Sequence, residues 1–247
     1  MLRSYFKGLY QRTMSEAYGL AQQEIVKSLQ LGGMCLDCGA HSGGMYDRIN
    51  SEVDLGKDRY FGIEWYQEAV VQGRSTGLDI VQGDLNKGIP HESNKFACVF
   101  GLSLLEHLLN PCGYLKECQR VLQPGGVLII LTPNISTYFT ALLILMGRMP
   151  SSGPHPDSDK LIKSEEIFKV SDDAIQPDTK TDTPVHRHLV VFSYRVLRGY
   201  LMQLGFSEVK GCGFGLYPFP NFMQPVLEKV DPYHCHQMVF VAKKQYV

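Results

Sequence analysis

Two acids and a set of glycines are spaced as in sites that hold a nucleoside. The short apolar run 34–38 contains Asp37 and leads directly into Gly39, and Gly43 follows in the same turn. Glycine accepts positive φ and lets the backbone approach a ligand closely. A second apolar run ends in Glu64, about 20 residues after the last glycine, where a Rossmann-type fold places the acid that binds a ribose. The pattern therefore predicts a cofactor that carries a nucleoside.

The spacing of the glycines distinguishes between two kinds of cofactor. A dinucleotide site has the pattern G-x-G-x-x-G and turns a helix N-terminus toward a pyrophosphate, and the segment 39–43 does not match it. The segment resembles motif I, Asp-x-Gly-x-Gly-x-Gly, of the class I S-adenosylmethionine-dependent methyltransferases. His41 stands where that motif has its middle glycine. Because histidine is enriched among the non-glycine residues that accept positive φ, the turn can be retained.

Further segments carry the same resemblance, in the order in which the family has them. They are Leu105-Glu106-His107 within 96–111, Arg120-Val121-Leu122-Gln123-Pro124-Gly125-Gly126, Thr132-Pro133-Asn134, and the block 188–206 with Phe192-Ser193 and Gly205-Phe206. One departure is Ala97, where the family usually has an aspartate that opens the strand, away from the methyl group. Ordered motifs over roughly 34–134 and 186–243 agree with one another and with the alternating strand and helix pattern.

The resemblance and the fold together imply cofactor contacts at the carboxyl ends of the strands. Glu64 would accept hydrogen bonds from both ribose hydroxyls, and Trp65 would pack on the adenine. Asp84 matches the family's acceptor for the adenine amino group, and the N–H of Leu85 would meet an adenine ring nitrogen. The remaining implied contacts are Asp37, Gly39, Ala40, His41, Gly43, Leu102 and Ser103.

Some of these residues have a second interpretation. Asp37 either accepts hydrogen bonds from the N–H groups of the glycine loop or contacts the amino group of the methionine moiety, and both remain open. Asp84 also fits ordinary turn chemistry, and Trp65 equally fits a core or interface position. Glu64 also fits a solvated acid at a strand end, although its spacing favours the ribose.

His107 is the candidate catalytic residue, since imidazole titrates near neutral pH and can serve as a general base near the methyl acceptor. The alternative is that Glu106 and His107 hydrogen-bond the scaffold. We favour this alternative because methyl transfer from a sulfonium mainly needs a nucleophile held in line.

Other histidines and cysteines are of metal-binding types, but we predict no metal site. The cluster 186–188, with His155 upstream, fits either the mouth of a substrate site or a solvated loop. His234 and His236 lack partner ligands in sequence and lead into the last strand. Cys35-x-x-Cys38 has no second pair at zinc spacing, so buried, reduced thiols are predicted there.

Apolar runs that alternate with helical patterns predict a doubly wound, mostly parallel α/β sheet. The resemblance implies a Rossmann-like fold of seven strands with an antiparallel last strand. We expect one domain, with an N-terminal helical segment 1–33, a cofactor-binding half 34–134, a lid or substrate insertion 135–187 and the C-terminal part of the sheet 188–247. Within the first of these, apolar spacing predicts a helix over 15–29. Further along, apolar runs predict strands over 96–102 and 127–131, and the helix predicted between them stops at Pro124-Gly125-Gly126.

The composition excludes some classes of protein. The chain has 247 residues, 44% of them hydrophobic and 20% charged, and a net charge of -1, so bulk electrostatics gives no support for a nucleic-acid partner. No apolar stretch reaches the ~18 residues that span a bilayer, and the first residues lack a signal-peptide core. We expect a cytoplasmic protein. The apolar run 139–146 is predicted to be a lid helix or, within 135–149, a homodimer contact, since it lacks the basic face of a membrane-surface helix.

The sequence thus predicts an S-adenosylmethionine-dependent methyltransferase whose acceptor is a small molecule, a sugar or a glycolipid intermediate, the acceptor by analogy with related enzymes. The methyl group would pass directly to a nucleophile held in line and leave S-adenosylhomocysteine. Two other functions stay open: a methyltransferase-like interaction protein without catalysis and, against the glycine spacing, a nicotinamide-dependent oxidoreductase.

Overall fold

The centre of the protein is a seven-stranded mixed sheet. The computed structural model describes residues 2–150, 152–165 and 187–246. The strands lie in the order β3-β2-β1-β4-β5-β7-β6. β1 to β5 are parallel, and β7 is antiparallel to both of its neighbours. The strands are β1 Cys35–Cys38, β2 Tyr60–Glu64, β3 Asp79–Gln82, β4 Phe96–Leu102, β5 Leu122–Pro133, β6 Phe206–Phe214 and β7 Gln237–Lys244.

Helices cover both faces of this sheet. They are α1 Leu2–Leu29, α2 Gly44–Asn50, α3 Gln67–Ser75, α4 Pro111–Val121, α5 Tyr138–Leu145, α6 Asp159–Glu165, α7 Tyr194–Gln203 and α8 Gln224–Val230. In the ranges that the structure describes, no helix combines the length and the apolar character needed to cross a bilayer.

The central strands are buried on both faces, which explains their nearly continuous apolar sequences. Successive side chains of a strand point to opposite faces, and the two core clusters follow this alternation. Leu36 and Val99 belong to the cluster that contains residues of α4 and α7, whereas Cys35 and Phe100 belong to the cluster that contains residues of α1, α2 and α3. The fold class predicted from the sequence, a seven-stranded Rossmann-like sheet with an antiparallel last strand, is confirmed.

Two elements differ from the predicted bounds. α1 begins at Leu2 rather than near residue 15, because its buried stripe includes Thr13, which is fully buried. The Thr13 hydroxyl donates to the carbonyl of Leu9 (2.8 Å) and accepts from the hydroxyl of Tyr217 (2.9 Å), so a polar residue occupies a core position. β5 begins at Leu122, before the predicted Pro-Gly-Gly stop, because Leu122 already pairs with Phe96 ahead of a register shift.

The topology fixes where a ligand can bind. β1 has β2 on one side and β4 on the other, so the chain leaves β1 in one direction along the sheet and later returns to its other side. In open α/β sheets this switch point, outside the carboxyl ends of the strands, forms the binding crevice. The segments after β1, β2 and β4 therefore define the candidate site.

Candidate functional site

The glycine loop after β1 is held by the end of β2. The N–H groups of Gly39 and Ala40 both donate to the carbonyl of Ile63, at 2.8 and 3.1 Å. Glu64, which is 7% exposed, accepts from the N–H of His41 through Oε2 (2.8 Å) and from the N–H of Tyr66 through Oε1 (2.9 Å). One carboxylate thus joins the loop to the segment that follows β2. Each of its oxygens retains acceptor capacity beyond that one bond.

The loop has the turn that the sequence predicted. His41 has φ 47, between Gly39 at φ 79 and Gly43 at φ 87. Histidine therefore takes the left-handed conformation in place of the motif's middle glycine, as expected. At position 43 a glycine is also required for steric reasons, because a Cβ there would lie 2.3 Å from Cδ1 of Leu78.

The conformation of His41 gives a testable pair of variants. His41→Gly is expected to leave stability within about 1 kcal/mol and S-adenosylhomocysteine affinity within about threefold, since glycine accepts φ 47 without strain. His41→Val is expected to cost about 1–2 kcal/mol and to weaken binding severalfold, because a β-branched residue resists positive φ. Urea unfolding and calorimetry measure both effects. Equal behaviour of the two variants would show that the loop's φ does not matter.

Asp37, in β1 just before the loop, is buried, with 4% exposure. Its Oδ2 accepts a hydrogen bond from the hydroxyl of Tyr60 at 2.5 Å. The interpretation of Asp37 as the acceptor for the loop's N–H groups was wrong, since those groups donate to Ile63 and Glu64 instead. Burial raises the pKa of Asp37 to about 7; the hydrogen bond from Tyr60 opposes this rise and the negative charge of Glu64 adds to it.

The residues predicted to contact adenine lie after β2 and β3. Trp65 is 59% exposed, which rules out the core interpretation of this side chain. Oδ1 of Asp84 accepts from both the backbone N–H and the side-chain amide of Asn86, each at 3.0 Å. This is the turn chemistry that the sequence allowed, and it also fixes the orientation of the carboxylate. Leu85, which follows, is 6% exposed.

The end of β4 is in contact with α1. Ser103 has φ 52, and its N–H donates to the carbonyl of Leu131 at 2.8 Å, next to Leu102. The Ser103 hydroxyl accepts from the hydroxyl of Tyr18 at 3.1 Å. Burial raises the pKa of Tyr18, which keeps its hydroxyl neutral. Sequence reasoning missed Tyr18, because nothing in the pattern of a half-buried helix identifies which residue reaches a distant strand end.

Glu106 and His107 form the short helical turn Leu105–His107 after β4 and are hydrogen-bonded to the scaffold. Oε2 of Glu106 accepts from the hydroxyl of Thr132 at 2.9 Å, and Nδ1 of His107 lies 3.0 Å from the carbonyl oxygen of Arg187. These are the scaffold bonds that the sequence analysis favoured. Burial raises the pKa of Glu106 to about 7 and lowers the pKa of His107, which is therefore neutral at pH 7.

The structure brings His188 and His155 to the same place. The rings of His188 and His107 are 5.4 Å apart between centroids, and His188 stacks on His155 at 4.7 Å. His186 lies outside the described residues. His234 and His236 lie outside this group and contact other residues. Nδ1 of His234 lies 2.8 Å from Asp231, and Nδ1 of His236 lies 3.2 Å from the Ser152 hydroxyl.

Asn134, from the Thr-Pro-Asn motif, has a structural role. Its Nδ2 donates to the carbonyls of Tyr233 and Cys235, both at 2.8 Å. Its Oδ1 accepts from the N–H of Ser136 at 3.0 Å and from the N–H of Tyr194 at 3.3 Å. One buried amide thus ties the end of β5 to the starts of α7 and β7.

The sheet order, the glycine turn after β1 and the acid at the end of β2 are the features expected of a class I S-adenosylmethionine-dependent methyltransferase. Residues 36–130 match a family described as a methyltransferase domain. This match supports an S-adenosylmethionine-dependent methyltransferase domain over the part of the chain that carries the candidate site.

Individual relatives agree with this assignment. A probable S-adenosylmethionine-dependent methyltransferase of Mycolicibacterium smegmatis is 33% identical over 82 residues, which is 32% of each protein. A ubiquinone biosynthesis O-methyltransferase of Histophilus somni is 26% identical over 174 residues, 66% of this chain and 68% of that one. The fold is similar to a crystal structure from Thermotoga maritima of a SAM-dependent methyltransferase, possible histamine N-methyltransferase, with a TM-score of 0.54 and 16% identity over 99% of this chain and 100% of that one. This chain spans about a third of the length of the Mycolicibacterium smegmatis relative that it matches.

Proposed function

We propose that the protein transfers the methyl group of S-adenosylmethionine to a hydroxyl oxygen of a small apolar or lipid-linked acceptor. The observation that carries this proposal is the Glu64 carboxylate, which fixes the loop after β1 and the segment after β2 through one hydrogen bond to each. This arrangement prepares an acceptor pair for the ribose at the switch point of the sheet. An oxygen acceptor is supported by the name of the Histophilus somni relative, an O-methyltransferase.

The cofactor is proposed to lie across the carboxyl ends of β1, β2 and β4. Gly39, Ala40, His41 and Gly43 would pass beneath the methionine and ribose, and Asp37 would receive the methionine amino group. Trp65, Asp84 and Leu85 would hold the adenine. This orientation brings the sulfonium methyl toward Leu102 and Ser103, where β4 meets α1.

The proposed reaction needs mainly positioning. The acceptor oxygen forms a bond to the methyl carbon as the sulfur–methyl bond breaks, and the electron pair of that bond stays on sulfur. S-adenosylhomocysteine leaves as a neutral thioether, and the acceptor hydroxyl loses its proton. His107 stays the predicted catalytic candidate, because an imidazole that is neutral at pH 7 can accept this proton.

An apolar acceptor is supported by α5, which starts shortly after β5. Leu142, Ile144 and Leu145 are 53%, 55% and 84% exposed. Exposed apolar surface of this kind marks contacts with ligands or partners. We propose α5 as a wall of the acceptor site, within the insertion 135–187; a homodimer contact over 135–149 is the other use of the same surface.

A ligand titration followed by thermal unfolding tests the cofactor. At 100 times the dissociation constant, a ligand stabilises the native state by about 2.7 kcal/mol, which raises Tm by roughly 5–10 °C for a chain of this size. We expect this shift with S-adenosylmethionine and S-adenosylhomocysteine, and none with NAD⁺. A folded sample that responds to neither sulfur nucleoside would overturn the proposal, and a response to NAD⁺ alone would favour the oxidoreductase.

Labelled S-adenosylmethionine then tests the reaction. A panel of phenols, prenylated phenols, sugars and glycolipids is incubated with the protein, and transfer of the labelled methyl group is followed by mass spectrometry. We expect transfer to an apolar hydroxyl compound. Cofactor binding with transfer to an amine or a sugar only would overturn the acceptor class, and binding without transfer to any compound would favour the non-catalytic alternative.

A further inference from the structure

Three side chains that are typical metal ligands meet beside the end of β4. Glu106, His107 and His188 each offer one ligand atom, and these atoms all lie within 4.8 Å of one another. Glu106 and His107 belong to the turn after β4, whereas His188 comes from the segment that leads into α7. No metal site is predicted from the sequence, because spacing along the chain gives no sign that these three residues meet.

Backbone hydrogen bonds fix the two segments against each other. The carbonyl of Glu106 accepts from the N–H of Leu189 at 2.6 Å and from the N–H of Val190 at 3.4 Å. The segment that carries His188 is therefore attached directly to the residue whose carboxylate it faces. A cluster supported in this way is built into the fold.

The outer hydrogen bonds of Glu106 and His107 hold these two side chains from behind. Because the carbonyl of Arg187 can only accept, Nδ1 of His107 carries the proton in this bond, and Nε2 of the same ring lies 4.0 Å from Oε1 of Glu106. The Thr132 hydroxyl donates to the other carboxylate oxygen, Oε2. Metal-binding histidines and carboxylates are usually supported in this manner, by a carbonyl or a hydroxyl behind the ligand.

His188 is held from its other side. Its backbone N–H donates to Nδ1 of His155 at 3.2 Å, and the N–H of His155 donates to the carbonyl of His188 at 2.9 Å. Nδ1 of His188 is buried and has no hydrogen-bond partner among the described residues. Buried polar atoms in native proteins nearly always have a partner, so this nitrogen points to a ligand of another kind.

We propose that Glu106, His107 and His188 bind one divalent transition-metal ion, with Zn²⁺ as the type case. Two imidazoles and one carboxylate are the ligand set of catalytic zinc sites, which keep a fourth position open. Zn²⁺ ligands at about 2.1 Å from the ion lie roughly 3.4 Å from one another, so the three facing atoms must approach by about 1 Å.

The role of the ion rests on the proposed function. The open position would bind the acceptor's hydroxyl oxygen beside the methyl group, and a bound divalent ion lowers the pKa of a bound hydroxyl strongly. The hydroxyl proton leaves to solvent, the oxygen attacks the methyl carbon, and the sulfur keeps the electron pair of the broken bond. In this arrangement His107 is a ligand and not the base.

Titration with Co²⁺ tests the site, with protein that carries no affinity tag and has been treated with a chelator. Co²⁺ bound to nitrogen and oxygen ligands in a site of low symmetry gives visible absorption bands, which report binding. We expect one Co²⁺ per chain and its displacement by Zn²⁺. His188→Ala is expected to weaken Co²⁺ binding at least tenfold, and Glu106→Gln, which preserves shape, is expected to do the same. His234→Ala is the matched control, since this imidazole is paired with Asp231 outside the cluster, and it should bind Co²⁺ like the wild type.

Two results would overturn the metal site: no binding by the wild type, or equal binding by the wild type and the folded His188→Ala or Glu106→Gln variant. Glu106→Gln serves if His188→Ala does not fold. S-adenosylhomocysteine affinity, measured on the same samples, separates this inference from the proposed function. Sulfur-nucleoside binding without Co²⁺ binding removes the metal and leaves the methyl transfer, and the converse result leaves the metal site and removes the methyl transfer.

Discussion

Asp37→Asn is expected to stabilise the unliganded protein relative to the wild type by an amount that grows by roughly 2–3 kcal/mol between pH 5 and pH 8. The reason is that Asp37 is buried within β1 with its pKa raised to about 7, whereas an aspartate in the unfolded chain titrates near 4. Between these values the native state holds a proton that the unfolded state has released. Stability of the wild type therefore falls as pH rises through this window, by up to about 4 kcal/mol above pH 7.

Asparagine removes this dependence because it does not titrate, while its amide oxygen can still accept the hydrogen bond from Tyr60. Urea unfolding of both proteins at several pH values gives the difference, and subtraction cancels the other titrating groups, which the two proteins share. A difference that does not change with pH would contradict the raised pKa. A constant offset from the new amide group does not affect this comparison.

The same variant is expected to bind S-adenosylhomocysteine at least fivefold more weakly at pH 7.5. If the ionised Asp37 holds the methionine amino group, wild-type affinity increases as pH rises through about 7, since binding favours the charged carboxylate. Asparagine would lose both the charge and the pH dependence. Calorimetry at pH 6 and 7.5 measures this, and parallel pH profiles for the two proteins would remove Asp37 from the amino-group role. A carboxylate that costs stability and improves binding is the expected signature of a functional group.

Glu64→Ala is expected to lower affinity for S-adenosylhomocysteine at least tenfold, about 1.4 kcal/mol. The variant loses the proposed acceptors for the ribose hydroxyls. It also leaves the N–H groups of His41 and Tyr66 without the carboxylate that joins them. Both effects weaken binding, because the loop is no longer held in the conformation that the cofactor needs.

The controls for this variant separate charge from position. Glu92→Ala removes the same charge from an exposed position before β4, at the opposite end of the sheet from the site, and should bind within twofold of the wild type. Glu64→Gln keeps one acceptor oxygen, so its affinity for S-adenosylhomocysteine should lie between those of Glu64→Ala and Glu92→Ala. Calorimetric affinity for Glu64→Ala equal to that of the wild type would falsify the ribose role of Glu64.

The local sequence pattern was sufficient to predict the strands and the turn that carry the candidate site. The strand predicted over 96–102 has those bounds as β4, because a strand buried on both faces has an apolar sequence along its whole length. The turn at His41 was also predictable, since its conformational preference is a property of the residue. The start of α1 was not, because Thr13 occupies a core position only through its bonds to Leu9 and Tyr217.

The sequence by itself determined the fold class and the two acids at the strand ends, and its motifs carried the resemblance that implies the cofactor. The fold class and the acids depend on local propensity and on short spacings around the turns, and a single chain contains that information directly. Only the tertiary structure decided what the acids contact. In the folded chain the N–H of His41 donates to Glu64 and the hydroxyl of Tyr60 donates to Asp37. Tyr18 contacts the end of β4, and His188 lies beside Glu106 and His107. These contacts link segments far apart in the chain, and which side chains meet is set by how the helices and loops pack on the sheet, which no local spacing encodes.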